Sequence, residues 1–140
     1  MDGLRFNDLL HRVPVTVGVG YGYLGFVSSL DDIEVWFTPK DCQAIADLLE
    51  RALNNPTPGK TASHGFHNNG GDEGTERASF CTREQLSGIE MTLASGLKDD
   101  EGNPRPGTST MSICISREDT KMLADALKVQ LANLRNSSPS

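Results

Sequence analysis

The chain has no apolar run near the roughly 18 residues that a membrane-spanning helix needs, so no such span is expected. It also has no basic excess, because the formal net charge is -6 and Lys and Arg are scattered singly. A duplex-binding protein usually carries a basic stripe that displaces counterions from phosphates, so direct nucleic-acid binding is not expected. The same charge argues against attachment to anionic lipid. Cysteine is scarce: Cys42, Cys81 and Cys114 lie far apart without CxxC spacing, which suggests neither a disulfide framework nor a zinc cage. Asp2 and Asp8 fall where a signal peptide would carry a basic stretch, and a cytoplasmic protein is expected. No nucleophile elbow, HExxH, Walker or kinase signature is present. These absences shift the expectation from catalysis toward binding, with no cofactor and no metal.

What is present is ordinary for one globular domain of 140 residues, 36% apolar and 23% charged. The clearest organisation is an internal similarity. The segment Phe37–Leu53 aligns without gaps on Ile115–Leu131, and Asp41, Ala46, Asp47, Leu49 and Leu53 match Asp119, Ala124, Asp125, Leu127 and Leu131. Each copy enters from a strand with period-2 apolar residues, Ile33, Val35, Phe37 in one and Met111, Ile113, Ile115 in the other. Each then meets a hydroxyl N-cap, Thr38 or Ser116, with an acid three residues on. Pro39 suits the first helical position, where its missing N–H costs nothing. Apolar stripes at spacings of three and four then predict helices over about 39–53 and 117–134.

Alternation around Val13–Val19, Tyr23–Ser28 and Ile89–Leu93 adds further strands. The expected fold is therefore α+β: a two-layer sandwich, an antiparallel sheet with helices on one face, built from a duplicated β-β-(β)-α unit. The expected single domain has repeat halves at about 13–53 and 77–134, preceded by a short N-terminal helix. A mobile linker at 54–76 joins the halves, and a polar tail occupies 135–140.

If Val35 and Phe37 face the helices, Glu34 and Trp36 face the other way, leaving an aromatic on an uncovered sheet. The second helix adds Met122, Ala126 and Val129 as a second apolar line. Trp36, Met122, Ala126 and Val129 are accordingly the expected interface, with a homodimer the simplest assembly. A pocket lined by Tyr21, Tyr23 and Trp36, with Arg117, Lys121 and Lys128 meeting an anion, is the alternative ligand site.

Other patterns read as structure. The glycine-rich run Gly18–Gly25 leads into another strand, so it reads as a hairpin turn or bulge and not as a phosphate loop. His64 and His67, with Asp72 and Glu73, have ligand spacing only on a helix, which this stretch does not predict. Cys42 starts an apolar stripe and reads as buried, although the adjacent helix dipole would lower its pKa.

The function expected from sequence is a non-catalytic cytosolic binding module acting through protein–protein contacts: an inhibitor, an immunity-type antagonist or an adaptor. The alternative is a small-molecule or nucleotide-binding, sequestering protein with its pocket between subunits or halves.

Overall fold

The structure is a computed structural model that describes residues 3–20, 22–54, 57–68, 76–96 and 109–137. Four strands come first, β1 (Gly3–Asp8), β2 (Val13–Gly20), β3 (Tyr23–Ser28) and β4 (Asp32–Trp36), followed by helix α1 (Pro39–Asn54). Then come β5 (Thr61–Asn68), β6 (Glu76–Glu84), β7 (Ile89–Ser95), β8 (Ser109–Ile115) and α2 (Arg117–Ser137). Each set of four strands pairs antiparallel in chain order, which gives two four-stranded sheets: sheet A from β1–β4 and sheet B from β5–β8. The α+β class holds, but the single sheet does not.

Two further expectations change with it. The expected N-terminal helix is β1: Phe6 and Asp8 turn inward on alternate positions, and Phe6 pairs with Val15 of β2. Part of the expected linker 54–76 is β5, whose Phe66 is buried and meets Phe37 edge-on with ring centroids 5.8 Å apart. An aromatic edge against an aromatic face is the favoured geometry for such a pair. That contact and the backbone pairing with β6 outweigh the Gly and Asn content that reads as loop.

Both sheets turn one face to a shared apolar core, in which Phe26, Phe80, Leu24, Ile45, Leu49, Ile113 and Leu127 are fully buried. The helices pack on each other, with α1 also against β5 and β6 and α2 against β2. Each helix therefore leans on the sheet of the other half. The Cys42 thiol donates to the Leu127 carbonyl at 3.5 Å, tying α1 to α2 inside the core.

The caps form as the sequence predicts. Thr38 Oγ1 accepts from the Asp41 N–H at 3.3 Å and donates to Asp41 Oδ2 at 2.9 Å, while Ser116 Oγ accepts from the Asp119 N–H at 3.1 Å. Each side chain satisfies a backbone donor that the helix itself cannot.

A buried carboxylate joins the sheets. Asp8, at the end of β1 and 1% exposed, accepts through Oδ1 from the N–H groups of Leu10 and of Cys114 on β8, both at 3.0 Å. Its Oδ2 lies 2.6 Å from His11 Nδ1. The Leu9 N–H donates to the Cys114 carbonyl at 2.6 Å, so the end of β1 is stitched to β8 by backbone and side chain together. Glu84, also buried, accepts from the Thr57 N–H at 2.7 Å and holds the chain entering β5 against β6.

Candidate functional site

The face of sheet A away from the core is where sequence and geometry converge. Strand register lays its residues out in rows. One row runs Arg5, Thr16, Val27, Asp32 across the four strands, and the next runs Gly3, Gly18, Gly25, Glu34. A third runs Gly20, Tyr23, Trp36. The middle row has no side chain of its own on three of its four strands, and its neighbours lean over it, Thr16 against Gly3 and Tyr23 across Gly25. Arg5, Val27, Glu34 and Trp36 are exposed, Trp36 at 38%.

The glycine run thus has a use that the turn alone does not require. Gly22 makes the β2–β3 turn with φ 61°, and its carbonyl accepts from the Phe37 N–H at 2.7 Å, so the hairpin reading of this run fits. Gly25 does something different. The Tyr23 ring lies over it, and a Cβ built there would come within 2.6 Å of the Tyr23 hydroxyl oxygen. Lying flat, Tyr23 packs against Trp36 with ring centroids 4.6 Å apart and planes tilted by 54°. Its hydroxyl donates to Glu34 Oε2 at 3.1 Å. Burial, then the hydrogen bond and charge of Glu34, push the Tyr23 pKa above its ordinary value, which keeps the hydroxyl a donor. The result is an exposed indole backed by a tyrosine that is locked at one end by the carboxylate and underneath by glycine.

Gly25→Ala is therefore expected to lift the Tyr23 ring, lengthen its bond to Glu34 and change the environment of the chain's only tryptophan. The shift is readable as altered Trp emission in a protein that remains folded by circular dichroism. An emission spectrum identical to wild type would show that the glycine does not set the ring.

The remaining expected site residues do not converge on this face. Tyr21 lies outside the described residues. Arg117 and Lys121 line a separate cleft of about 420 Å³ with Glu50, Leu53, Glu118 and Asp125, where the end of α1 meets the start of α2. Trp36 precedes the other end of α1, whose 16 residues put about 24 Å between the two places. The cleft is not a simple anion site: Arg117 Nη2 donates to the Gln85 carbonyl at 3.0 Å, and Lys128 on the same helix pairs with Glu50. Of the expected interface residues, Met122 and Val129 are exposed on α2, while Ala126 packs partly into the core. Since α2 packs on sheet A from its inner side, these residues and Trp36 face different ways.

The histidines resolve plainly. His64 and His67 stand three apart on a strand, and odd spacing on a strand sends side chains to opposite faces. His64 turns inward, where its Nε2 is 2.9 Å from Asp41 Oδ1 and its ring stacks on Phe66. Asp72 and Glu73 lie outside the described residues, among which no group of His, Cys, Asp and Glu could hold a metal. Cys42 is buried as expected, and burial pushes its pKa up to about 11, so desolvation overrides the helix dipole. No helix of the described residues is long and apolar enough to cross a membrane.

No family model matches the chain, and no curated protein sequence does. Among solved structures, the plant transcriptional regulator PBF-2 is similar over 86% of this chain, at 14% identity and a TM-score of 0.47. The chain spans 62% of that protein's length. WHY3 from Arabidopsis thaliana is similar over 90% of this chain and 74% of its own, at 11% identity and a TM-score of 0.49.

These findings correct the sequence reading. The expected inhibitor, antagonist or adaptor, with its small-molecule alternative, gives way because the similar structures include a transcriptional regulator instead. Of the expected partners, the exclusion of nucleic acid gives way with it, while a homodimer, a protein partner and an anionic small molecule find no support in these structures. The exclusion rested on charge, which governs binding through phosphates and says nothing of stacking through base faces.

Proposed function

We propose that this protein binds single-stranded nucleic acid on the outer face of sheet A, with bases stacking on Trp36. The observation that carries this reading is the Tyr23–Trp36 pair on the outer face of sheet A, with Tyr23 seated flat over Gly25 and Trp36 exposed beside it. Every base has a π-face, and an aromatic on a flat surface is worth about 1–3 kcal/mol per stacked base. Gly25 lets Tyr23 lie flat behind the indole, and Arg5 supplies a cation on the same face. A duplex hides its base faces and is held chiefly through phosphates, which this face with Asp32 and Glu34 does not favour.

The test uses the only tryptophan as its own reporter. Titration with a short single-stranded oligonucleotide is expected to quench Trp36 emission saturably, while the matching duplex does not. Because few cations face the strand, the salt dependence is expected to be shallow, with a log–log slope near -0.7 per phosphate contacted. By anisotropy of a labelled oligonucleotide, Trp36→Ala is expected to weaken binding about 5- to 150-fold, and Trp36→Phe to keep most of it. Absence of quenching and of any anisotropy rise up to about 0.1 mM, where even non-specific binding is ordinarily seen, would overturn the reading.

We further propose that the two halves descend from one duplicated unit. Support comes from the ungapped match of Phe37–Leu53 to Ile115–Leu131 and from the same order of four strands and a helix in each half.

A further inference from the structure

We infer that Glu34 makes this surface selective for guanine within a single strand. The inference rests on the reading above and adds the base that is recognised. Glu34 is an exposed acid on the proposed binding face, where a phosphate would be repelled. It closes the glycine row, opposite Gly25, and stands two residues before Trp36 on the same face of β4. Two residues of strand span about 7 Å, so a base stacked on the indole turns an edge toward this carboxylate.

The chemistry of that edge decides the base. An ionised carboxylate only accepts hydrogen bonds, and it can accept two side by side. Guanine offers two adjacent donors on its Watson–Crick edge, the ring N1–H and the exocyclic amino group. Cytosine and adenine each offer one amino group there, and thymine places its single N–H between two carbonyls that a carboxylate repels. Unpaired bases are read on this edge when they stack on an aromatic side chain. One acceptor position on Glu34 is already committed, since Oε2 accepts a hydrogen bond from the Tyr23 hydroxyl at 3.1 Å. That bond fixes the carboxylate in place and leaves its other oxygen and remaining lone pairs for the base. The acid on the face is thus reconciled with nucleic-acid binding: it meets base edges, while the phosphates pass elsewhere, toward the row that contains Arg5.

The experiment compares oligothymidylate with the same length carrying interspersed deoxyguanosines or deoxycytidines, read by Trp36 quenching and by anisotropy. The guanine-containing strand is expected to bind about tenfold or more tighter than oligothymidylate, with the cytosine strand between, as one bidentate base contact allows. Glu34→Gln keeps an acceptor for the Tyr23 hydroxyl but adds donors, and is expected to bring the guanine-containing strand and oligothymidylate to within about twofold of each other, as the ratio of the two affinities measured on the same variant. Tyr23→Phe, which keeps the ring but releases the carboxylate, is expected to weaken the preference without abolishing it. Equal binding of all strands by the wild type, or a guanine preference that survives Glu34→Gln, would overturn the inference and leave the single-strand reading standing. Failure of every strand to bind would remove both.

Discussion

Asp8→Ala is expected to cost the fold about 3–5 kcal/mol, a large share of the stability of a domain this size. The carboxylate is 1% exposed and accepts from two backbone N–H groups, one of them on the other sheet. Hydrogen bonds to a charged acceptor contribute about 1.5–3 kcal/mol each, and a buried N–H left without a partner costs about 1–3 kcal/mol. The Cys114 N–H would be left in that state, at the place where β1 meets β8. Loss of the carboxylate also leaves His11 without the group beside its Nδ1. Asp8→Asn keeps a carbonyl oxygen for the two donors and is expected to cost about half as much. Urea unfolding of the three proteins decides it, provided the slopes agree, since a changed slope signals a different unfolded or native state. A difference between Asp8→Ala and wild type within about 0.5 kcal/mol, the range of an ordinary surface substitution, would mean that water replaces the carboxylate at no loss.

Asp8 also illustrates what the sequence did and did not disclose. Both helices were legible because their signals are local: Thr38 with Asp41 and Ser116 with Asp119 announce the starts, and the apolar stripes give the faces. The outward direction of Glu34 and Trp36 was legible for the same reason, since period 2 on β4 needs no partner to define it. The start of the chain was not. With only Leu4 and Phe6 as apolar members, β1 is too short and polar to show a period, and its partner lies beyond a turn at Arg12 with φ 61°. Reading it as helix hides Arg5 from the outer face of sheet A and Asp8 from the sheet junction. β5 was hidden in another way. Its strand character comes from pairing with β6 across residues 69–75, a non-local contact that no window of sequence contains. The division into two sheets is of the same kind. Trp36 was named as a site residue from its position alone, but its stacking on Tyr23 needs the β3–β4 register, and the seat of Tyr23 on Gly25 needs the missing Cβ. The charge of the chain bears on binding through phosphates and is silent on stacking through base faces.

Raising the pH is expected to destabilise the protein from about pH 9 upward, with Cys42 the largest identifiable cause. In the unfolded chain the thiol ionises near 9.0, while in the folded protein burial among α1 and α2 pushes it up to about 11. Between those values the native state holds a proton that the unfolded state has released, so stability falls as pH rises through the window and is fully present below it. For one group shifted by this amount the loss is about 2 kcal/mol at pH 11 and approaches about 3 kcal/mol above it. The cause is burial: Cys42 is 1% exposed, and its thiol donates to the Leu127 carbonyl, an acceptor that favours the thiol over the thiolate. Cys114 and Tyr23 are raised by burial as well and push in the same direction, so wild type alone does not isolate Cys42. Cys42→Ala does. It is expected to be less stable than wild type at neutral pH, because it loses the packed sulfur, yet to lose less stability between about pH 8 and about pH 11. Urea unfolding across that range is the measurement, and the two curves are expected to converge as pH rises. Parallel curves would show that Cys42 ionises in the folded protein as readily as in the unfolded chain, and that the α1–α2 contact is open to water at high pH.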